Sequence, residues 1–409
     1  MIENYQTKYK FEMKLKTALH IGIGEESPIG AAKIYQNGAG EYCIPGTTIA
    51  GIFFDTLANI LPDKIIKNKK LWLKCTQNEK DNFYGSPLIF RTSILGSKND
   101  LIIQIRDRVK INNETKTAEY GAKFSYWEIE PENVTFDIDI YIDRLSIRHI
   151  SNPEHKILEN WIEAVAYSWQ KEGILIGAFS SSGNGWAKLI NIKKENKEIN
   201  NLNKPEHYKD IFKHYTLEIK IGDEKDSYGT NALLIKGGDS HESIIDNRVI
   251  DGVFINTGKR VFIPGSSVKG AFSFFMEKYG EPDWAKLLGK DEKDNPIEYA
   301  GDFFVQDLFP IDYNDNHIIQ IERHAEDEFT RAVFGTSKFN EERLFHTKFK
   351  GKVLIRKNDR FKPDEIEEMI KFLKQGMKHH LIPLGANSCF PEFDILGPYN
   401  PAKKEENNG

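Results

Sequence analysis

The sequence is poor in cysteine, in long apolar runs and in net positive charge, and each shortage argues against a class of protein. Its 409 residues include three cysteines, Cys43, Cys75 and Cys389, which lie far apart and form no pair at metal-ligand spacing. This argues against a structural zinc site and fits a reducing cytosol. No apolar stretch approaches the length of a membrane span, and the first residues lack the basic and apolar regions of a signal peptide. We therefore expect a cytoplasmic protein with no membrane partner.

The formal net charge of −5 argues against a generic nucleic-acid binder, because such proteins are usually basic. A specific RNA-binding face is compatible with this charge only if lysine and arginine are concentrated on one surface. Acidic residues in segments such as 291–294 and the tail at 403–407 would then lower the total. Hydrophobic residues make up 39% of the chain and charged residues 29%, which is typical of a globular protein long enough for two full cores.

One stretch of the sequence occurs twice, about half the chain apart. Residues 44–51 read Ile-Pro-Gly-Thr-Thr-Ile-Ala-Gly, residues 263–270 read Ile-Pro-Gly-Ser-Ser-Val-Lys-Gly, and an apolar helix start follows each. Three other pieces recur in the same order: 9–15 with 215–221, 102–105 with 318–321, and 122–124 with 337–339. Four matches in register indicate two copies of one domain rather than a short-period solenoid.

The repeated stretch joins a strand to a helix at a Pro-Gly break. We expect Ser266 or Ser267 to cap the second helix, because a hydroxyl accepts a hydrogen bond from a first-turn amide. A helix N-terminus carries unpaired N–H donors and a partial positive charge, which suit a phosphate group. Lys269 opposes the helix dipole from the first turn, and this placement is favourable if an anion occupies the site. An ordinary strand–turn–helix with a surface lysine is the alternative interpretation.

Hydrophobic periodicity predicts the same order of elements in both halves: strand, helix, strand, long insertion, strand, helix, glycine loop, strand. Without the insertion this is the βαββαβ plan of ferredoxin-like, RRM-like domains, so the predicted fold class is α+β. We predict a first domain over residues 1–195, a linker over 196–209, a second domain over 210–398 and a disordered tail over 399–409.

The predicted helices cover residues 48–60, 153–171, 267–279 and 363–378. Pro391 restricts the last strand to a sheet edge, because proline cannot donate to a ladder. Residues 112–130, 222–260 and 324–342 show neither helical nor strand periodicity. Long segments of this kind are either functional or plain surface loops.

Several motifs together resemble the RAMP superfamily of CRISPR–Cas proteins. Besides the two Pro-Gly turns, they are Leu-His-Ile-Gly-Ile-Gly at 19–24, Arg-Asp-Arg-Val-Lys-Ile-Asn at 106–112, Arg-His-Ala-Glu-Asp-Glu-Phe-Thr-Arg at 323–331, and the glycine-rich loop at 177–185. Their order and spacing in both halves most resemble two fused backbone subunits of a type III effector complex, similar to the tandem backbone proteins of D-subtype complexes. The resemblance covers residues 9 to 395.

The resemblance implies two tandem RAMP domains, each a palm that carries guide CRISPR RNA, with an inserted thumb hairpin. The implied partners are guide RNA, complementary target RNA and other effector subunits: neighbouring RAMP proteins, a large polymerase-like subunit and a small subunit. Guide bases must stay free to pair, so the protein would hold phosphates and 2′-hydroxyls and read little sequence. The residues implied to bind RNA are Gly46, Thr47, Thr48, Arg106, Arg108, Lys110, Gly183, Gly185, Gly265, Ser266, Ser267, Lys269, Arg323, Thr330 and Arg331.

The two copies are not identical at these positions. Ala50 stands in the first turn where the second has Lys269, so the first turn is expected to hold phosphate less strongly. The counterpart of the glycine loop in the second half, around Gly385, is thinner, and its RNA contact is correspondingly less well supported.

The resemblance also implies an aspartate that cleaves target RNA, on the loop before the Pro-Gly turn. Counting back from Pro264 gives Asp251, with Asp246 and Asp239 on the same loop as alternatives. The plain interpretation of Asp251 is a turn residue in Ile-Asp-Gly. The equivalent place in the first half, residues 29–34, holds no carboxylate, although two glutamates, Glu25 and Glu26, are close by. We therefore expect one cutting half and one binding half.

The expected reaction is attack by a target 2′-hydroxyl on the adjacent phosphate, which positioning alone accelerates greatly. An exposed aspartate has a pKa of about 3.9 and is a poor base at neutral pH. It would instead orient the hydroxyl or bind a divalent cation such as Mg²⁺ or Mn²⁺.

Three hypotheses follow from these patterns. The first is a guide-directed ribonuclease subunit that uses Asp251. The second is a non-catalytic backbone or capping subunit, which the net charge of −5 favours. The third is a guide-processing endoribonuclease, a family that the tandem Pro-Gly turns do not resemble.

Overall fold

The computed structural model describes residues 6–28, 30–62, 86–111, 118–143, 152–222, 231–235, 244, 254, 256–257, 260–281, 284, 287–289, 301–326, 333–357, 361–385 and 389–399. None of the described helices is long and apolar enough to cross a membrane.

The first half of the chain contains twelve of the described strands and two helices. In order they are β1 (Gln6–Leu15), β2 (Gly22–Glu26), β3 (Ala31–Ile34), β4 (Tyr42–Ile44), α1 (Gly46–Ile60), β5 (Leu88–Phe90), β6 (Ser93–Gly96), β7 (Ile103–Ile111), β8 (Ala118–Ile129), β9 (Thr135–Asp143), α2 (Asn152–Lys171), β10 (Ile174–Leu175), β11 (Trp186–Lys194) and β12 (Lys197–Glu198). A short 3-10 helix, Ser180–Ser182, lies in the glycine loop before β11.

The second half repeats the plan with nine described strands and two helices. They are β13 (Phe212–Ile221), β14 (Asn256–Thr257), β15 (Arg260–Val261), α3 (Gly265–Tyr279), β16 (Phe303–Val305), β17 (Phe309–Pro310), β18 (Ile318–Glu326), β19 (Val333–Leu344), β20 (Thr347–Arg356), α4 (Pro363–Lys378) and β21 (Glu392–Tyr399). A 3-10 helix, Asp315–His317, precedes β18.

Both halves have the ferredoxin-like sheet order, which confirms the predicted fold class. The first sheet runs β10-β11-β1-β9-β5 and the second runs β16-β20-β13-β21. Counting only the four core strands of each domain in sequence order, the first therefore lies between the third and the fourth. Every neighbouring pair along these paths is antiparallel. As expected from Pro391, β21 lies at an edge of its sheet.

The alternation of buried residues along the strands and their helical spacing along the helices account for the hydrophobic cores. In β1 every second residue from Tyr9 to Leu15 is buried, and the polar residues between them face away from the helices. The buried residues of α1 include Ile49, Phe53 and Leu57, four apart on one face. Trp169 of α2 packs edge-to-face on Phe11, with ring centroids 5.6 Å apart.

The inserted segments contain the hairpins that the resemblance implies, although residues 112–130 and 324–342 show no strand periodicity in the sequence. β8 and β19 are long strands that pair with β7 and β18 in antiparallel hairpins. In the first half, β2 and β3 extend the hairpin into a four-stranded sheet. The strand pattern was hidden because the buried face of β8 carries Glu128 as well as Tyr126, so apolar alternation is lost.

The two halves are joined at the start of β13. Glu172, just after α2, accepts hydrogen bonds from the amides of Ile211 (3.0 Å) and Phe212 (2.8 Å) and from the hydroxyl of Tyr208. Lys352 of the second half lies over the ring of Trp186 at 4.5 Å. The predicted linker at 196–209 is partly ordered, since β12 pairs with β11.

Candidate functional site

The two Pro-Gly turns occupy equivalent places in their domains. Helix α1 starts after Pro45 (φ −56°, ψ 141°) and α3 after Pro264 (φ −58°, ψ 133°). A Cβ atom on Gly46 would lie 2.3 Å from the carbonyl oxygen of Phe90, and one on Gly265 would lie 2.1 Å from that of Val305. Only glycine fits either place, because each turn packs directly on the backbone of a core strand.

The predicted serine caps are wrong. Pro264 occupies the N-cap position of α3, and neither Ser266 nor Ser267 makes a side-chain cap. Instead the carboxylate of Asp307 accepts a hydrogen bond from the amide of Gly265 at 2.8 Å. The Asp307 carboxylate is thus an anion at this helix N-terminus, which the helix dipole favours. It takes part of the role that the sequence analysis assigned to a phosphate.

Arg106 on β7 holds this carboxylate from the other half of the chain. Its guanidinium lies 2.9 Å from Asp307 Oδ2 and 3.3 Å from Glu128 Oε2, and it donates to Asn184 at 3.3 Å. It also lies over the ring of Phe262, 5.0 Å from the centroid. Arg106 is only 3% exposed, so its position corrects the expectation that it contacts RNA: its donors are directed at buried carboxylates.

Arg108, two residues further along β7, is half-buried and has no carboxylate partner among the described residues. Its guanidinium donates to the hydroxyl of Ser182, to Tyr126 Oη at 3.0 Å and to Asn184 Oδ1 at 3.3 Å. These neutral partners orient the guanidinium without cancelling its charge. A cation prepared in this way can accept an anionic ligand.

Lys269 of α3 brings a second cation to the same place. Burial, and next the positive charge of Arg108, lower its pKa to about 8, and Asp302 opposes the shift. No ion pair joins Lys269 to a carboxylate within the described ranges. We call Arg108, Ser182 and Lys269 the junction site, because it exists only where the first half meets the second.

Two glycines of the glycine loop allow close contacts, Gly183 with the second half and Gly185 within the first. A Cβ on Gly183 (φ 111°) would lie 2.9 Å from Asp307 Oδ1, and one on Gly185 (φ 78°) would lie 1.8 Å from the carbonyl oxygen of Ile176. Both glycines are buried, so the expectation of direct RNA contact through them is corrected to a packing role. Gly177 and Ala178 of the loop are exposed, and Phe179 and the three serines that follow it are half-buried.

The remaining predicted residues divide into three groups. Thr47 is exposed, and Gly46, Thr48, Ser266 and Ser267 are half-buried beside their helix starts. For Lys110 and Arg323 only the backbone, in β7 and β18, is described. Five predicted residues lie outside the described residues: Asp239, Asp246, Asp251, Thr330 and Arg331.

The first-half glutamates can be placed. Glu25 and Glu26 are exposed on β2, and Glu25 lies 3.4 Å from Lys33 Nζ. A single exposed ion pair of this kind is an ordinary surface feature.

Sequence reasoning missed Asp307, Glu128 and Asn184. One signal was available for the first of them: Asp307 interrupts the mostly apolar run from Phe303 to Phe309. A carboxylate in such a run is seldom buried without a partner, so a buried cation elsewhere was to be expected. The identity of that cation depended on how the halves pack.

The protein is thus a tandem of two ferredoxin-like halves that meet at the junction site. Comparison with known families identifies the class of protein to which it belongs. The sequence model of the RAMP superfamily matches residues 12–188 and 230–390. Because these two regions make up most of the sequence, the chain belongs to the RAMP superfamily.

Among solved structures, a chain from the cryo-EM structure of the type III-B Cmr-beta bound to cognate target RNA is similar at 17% identity, with a TM-score of 0.34. The match covers 46% of this chain and 60% of that one. No curated protein matches the sequence.

Proposed function

We propose that the protein is a backbone subunit of a type III CRISPR RNA-guided effector complex and holds the guide RNA by its phosphates. The observation that carries this proposal is the junction site, where Arg108 of one half lies within electrostatic range of Lys269 of the other and neither forms an ion pair with a carboxylate of the described residues. Two adjacent cations repel one another, and a bound phosphate removes that repulsion.

The chemistry of the junction site suits a guide strand. A guanidinium, an ammonium and a hydroxyl bind phosphate and sugar oxygens and leave base edges free for pairing with a target. Binding of this kind has little sequence preference and weakens as salt rises, because each neutralised phosphate releases counterions. The net charge of −5 is compatible with phosphate binding, because the two cations of the junction site act on one local surface.

The two turns differ in what they offer. The first half has Ala50 where Lys269 stands, and Thr92 follows β5 where Asp307 follows β16. The first turn therefore lacks both the cation of the junction site and the carboxylate that accepts from the first amide of α3. We propose that it contacts RNA through Thr47, Thr48 and backbone amides, with lower affinity.

We further propose that the second half cuts target RNA and that Asp251 is required, with Asp246 and Asp239 as alternatives. The 2′-oxygen forms a bond to phosphorus, the bond from phosphorus to the 5′-oxygen breaks, the 2′-proton passes to solvent, and the departing 5′-oxygen takes a proton from solvent. The aspartate orients the attacking hydroxyl. Its carboxylate is also the type of oxygen ligand that Mg²⁺ or Mn²⁺ prefers. Among the described residues no group of three acidic, histidine or cysteine side chains is placed to hold a metal ion.

One experiment tests the binding proposal. The protein is purified together with its natural neighbours, and the nucleic acid that accompanies it is sized. We expect small RNA of uniform length, and a complex made with Arg108→Met/Lys269→Ala carries less of it. A complex that assembles fully without RNA contradicts the proposal.

Cleavage is tested separately with Asp251→Ala in the assembled complex. If the subunit cuts, one cleavage position disappears while guide RNA and subunit content are retained. Unchanged cleavage excludes Asp251, and the same measurement on the Asp246→Ala and Asp239→Ala variants then decides between a different aspartate and a binding-only backbone or capping subunit.

A further inference from the structure

Asn184, near the end of the glycine loop, is fully buried where the two halves meet. Its amide oxygen accepts a hydrogen bond from Arg106 and another from Arg108, each at 3.3 Å. Its amide nitrogen donates to Glu128 Oε2 at 2.9 Å and lies 3.5 Å from the hydroxyl oxygen of Tyr126. One short side chain therefore connects both arginines of β7 with the facing strand β8.

These partners determine both the type of side chain and the direction of its amide. A guanidinium only donates hydrogen bonds, and an ionised carboxylate only accepts them. The place therefore needs an acceptor toward the two arginines and a donor toward Glu128. The asparagine amide supplies both, whereas an aspartate would bring a second carboxylate against Glu128.

The backbone around Asn184 is held on both sides. The flanking glycines, Gly183 (φ 111°) and Gly185 (φ 78°), lie in the left-handed region. The amide of Gly185 donates to the carbonyl oxygen of Ala18 at 2.6 Å, and the amide of Ile176 donates to the carbonyl oxygen of Gly185 at 2.7 Å. The side chain of Asn184 is thus presented to the hairpin from a fixed position.

The two arginines have different kinds of partner, and Asn184 is the partner that they share. The other polar contacts of Arg106 are carboxylates, Glu128 at 3.3 Å and Asp307 at 2.9 Å. The other polar contacts of Arg108 are hydroxyl groups, and no carboxylate of the described residues forms an ion pair with it. Because a neutral amide bridges Arg108 to Glu128, the guanidinium of Arg108 is oriented while its charge remains available.

We propose that Asn184 is a positioning residue for RNA binding: its neutral amide leaves the buried carboxylates to Arg106 and the charge of Arg108 to an RNA phosphate. The inference rests on the proposed function, because it requires a phosphate at Arg108. Asn184 does not contact that phosphate, since it is fully buried, and it acts through Arg108. A carboxylate in its place would form an internal ion pair with Arg108 and compete with the RNA for the same donors.

The test is equilibrium binding of short fluorescent single-stranded RNA to the full chain over a series of salt concentrations. Asn184→Asp gives Arg108 an internal carboxylate, and RNA binding should weaken roughly 10- to 150-fold, the range for one lost hydrogen bond to a charged group. The slope of log affinity against log salt should fall by about 0.7, because one phosphate contact is lost. Asn184→Ala removes the amide without adding a charge, so its salt slope should stay that of the wild type.

A second background separates positioning from a purely structural role. In the Arg108→Met protein, Asn184→Asp should not change the salt slope further, because the arginine through which it acts is absent. A further fall there would mean that Asn184 acts by another route, and the proposal would be wrong. Ser182→Asp offers Arg108 a carboxylate from a half-buried part of the loop and should lower the slope as Asn184→Asp does. Ser182→Asp decides the question if urea unfolding shows that Asn184→Asp does not fold.

Asn191→Asp supplies the matched control. It makes the same change of charge on β11, roughly 20 Å along the chain direction from Asn184 and beyond the range of screened charges, so it should bind RNA as the wild type does. If Asn184→Asp and Ser182→Asp keep the wild-type slope while Arg108→Met/Lys269→Ala lowers it, Asn184 is not a positioning residue and the proposed function stands. If the wild-type chain shows no salt-dependent binding, both proposals fail.

Discussion

Arg106 and Asp307, 201 residues apart in the chain, form a buried ion pair across the two halves. The carboxylate of Asp307 receives the guanidinium with one oxygen at 2.9 Å and with the other at 3.1 Å, and it also accepts from the first amide of α3. One side chain thus ties the inserted hairpin of the first half to the helix start of the second. This contact brings Arg108 within electrostatic range of Lys269.

Removal of Arg106 should destabilise the whole chain. Arg106→Met leaves Asp307 and Glu128 as uncompensated buried carboxylates, and we expect a loss of roughly 3–5 kcal/mol in the free energy of unfolding. Arg108→Met, two residues away on the same strand, should cost about 1 kcal/mol or less, because its guanidinium is partly solvated. Urea denaturation of both variants measures the difference. Equal losses would mean that Arg106 is not the tether.

Glu172 should be a second point of attachment. Glu172→Ala leaves the amides of Ile211 and Phe212 without their acceptor in a buried place, so we expect a loss of roughly 2–4 kcal/mol. Glu172→Gln keeps one acceptor oxygen and should lose less. Thermal unfolding of the pair gives the order of stability, and a wild-type melting temperature for Glu172→Ala would contradict this role.

Much of the fold was predictable from the sequence. The repeat and the alternation of β1 and β13 gave two ferredoxin-like halves, and apolar spacing gave α4 with its observed bounds, Pro363–Lys378. These features depend on contacts that are local or that repeat within a domain. The hairpin strands β8 and β19 were expected only from the family resemblance, because polar side chains on their buried faces hide the strand periodicity.

The site was less predictable than the fold, and Arg106 and Arg108 show why. They are the same residue type, on the same strand, facing the same way, yet one is buried in an ion-pair network and the other is half-buried among neutral partners. Their difference is set by Asp307, which reaches only one of them. Sequence spacing within one half contains no information about where a carboxylate of the other half will pack.

RNA affinity should fall as the pH rises through about 8. Burial and the charge of Arg108 lower the pKa of Lys269 from 10.5 to about 8, so its ammonium loses its proton in this range and no longer attracts phosphate. Lys269→Arg, which stays charged, should bind RNA with nearly constant affinity from about pH 7 to about pH 9. Titration by fluorescence anisotropy measures both. The same pH dependence in both proteins would assign it to another group.

The stability of the free protein should also depend on pH through Glu130. Burial, followed by the charge of Glu128, raises its pKa from 4.5 to about 8. Between these values the folded chain holds a proton that the unfolded chain has released, so stability falls as the pH rises. Glu130→Gln should flatten this part of the profile. Urea midpoints at about pH 5 and about pH 8 measure it, and an equally steep fall in the variant would exclude Glu130.

The claim that RNA phosphates bind between the two halves is tested most directly by the salt dependence of RNA binding. For Arg108→Met/Lys269→Ala, the slope of log affinity against log salt should fall by about 1.4, because each lost phosphate contact is worth about 0.7 on a single strand. Lys14→Ala/Lys98→Ala removes the same charge at two exposed positions elsewhere and should leave the slope unchanged. A wild-type slope and affinity in the Arg108→Met/Lys269→Ala protein would contradict the account.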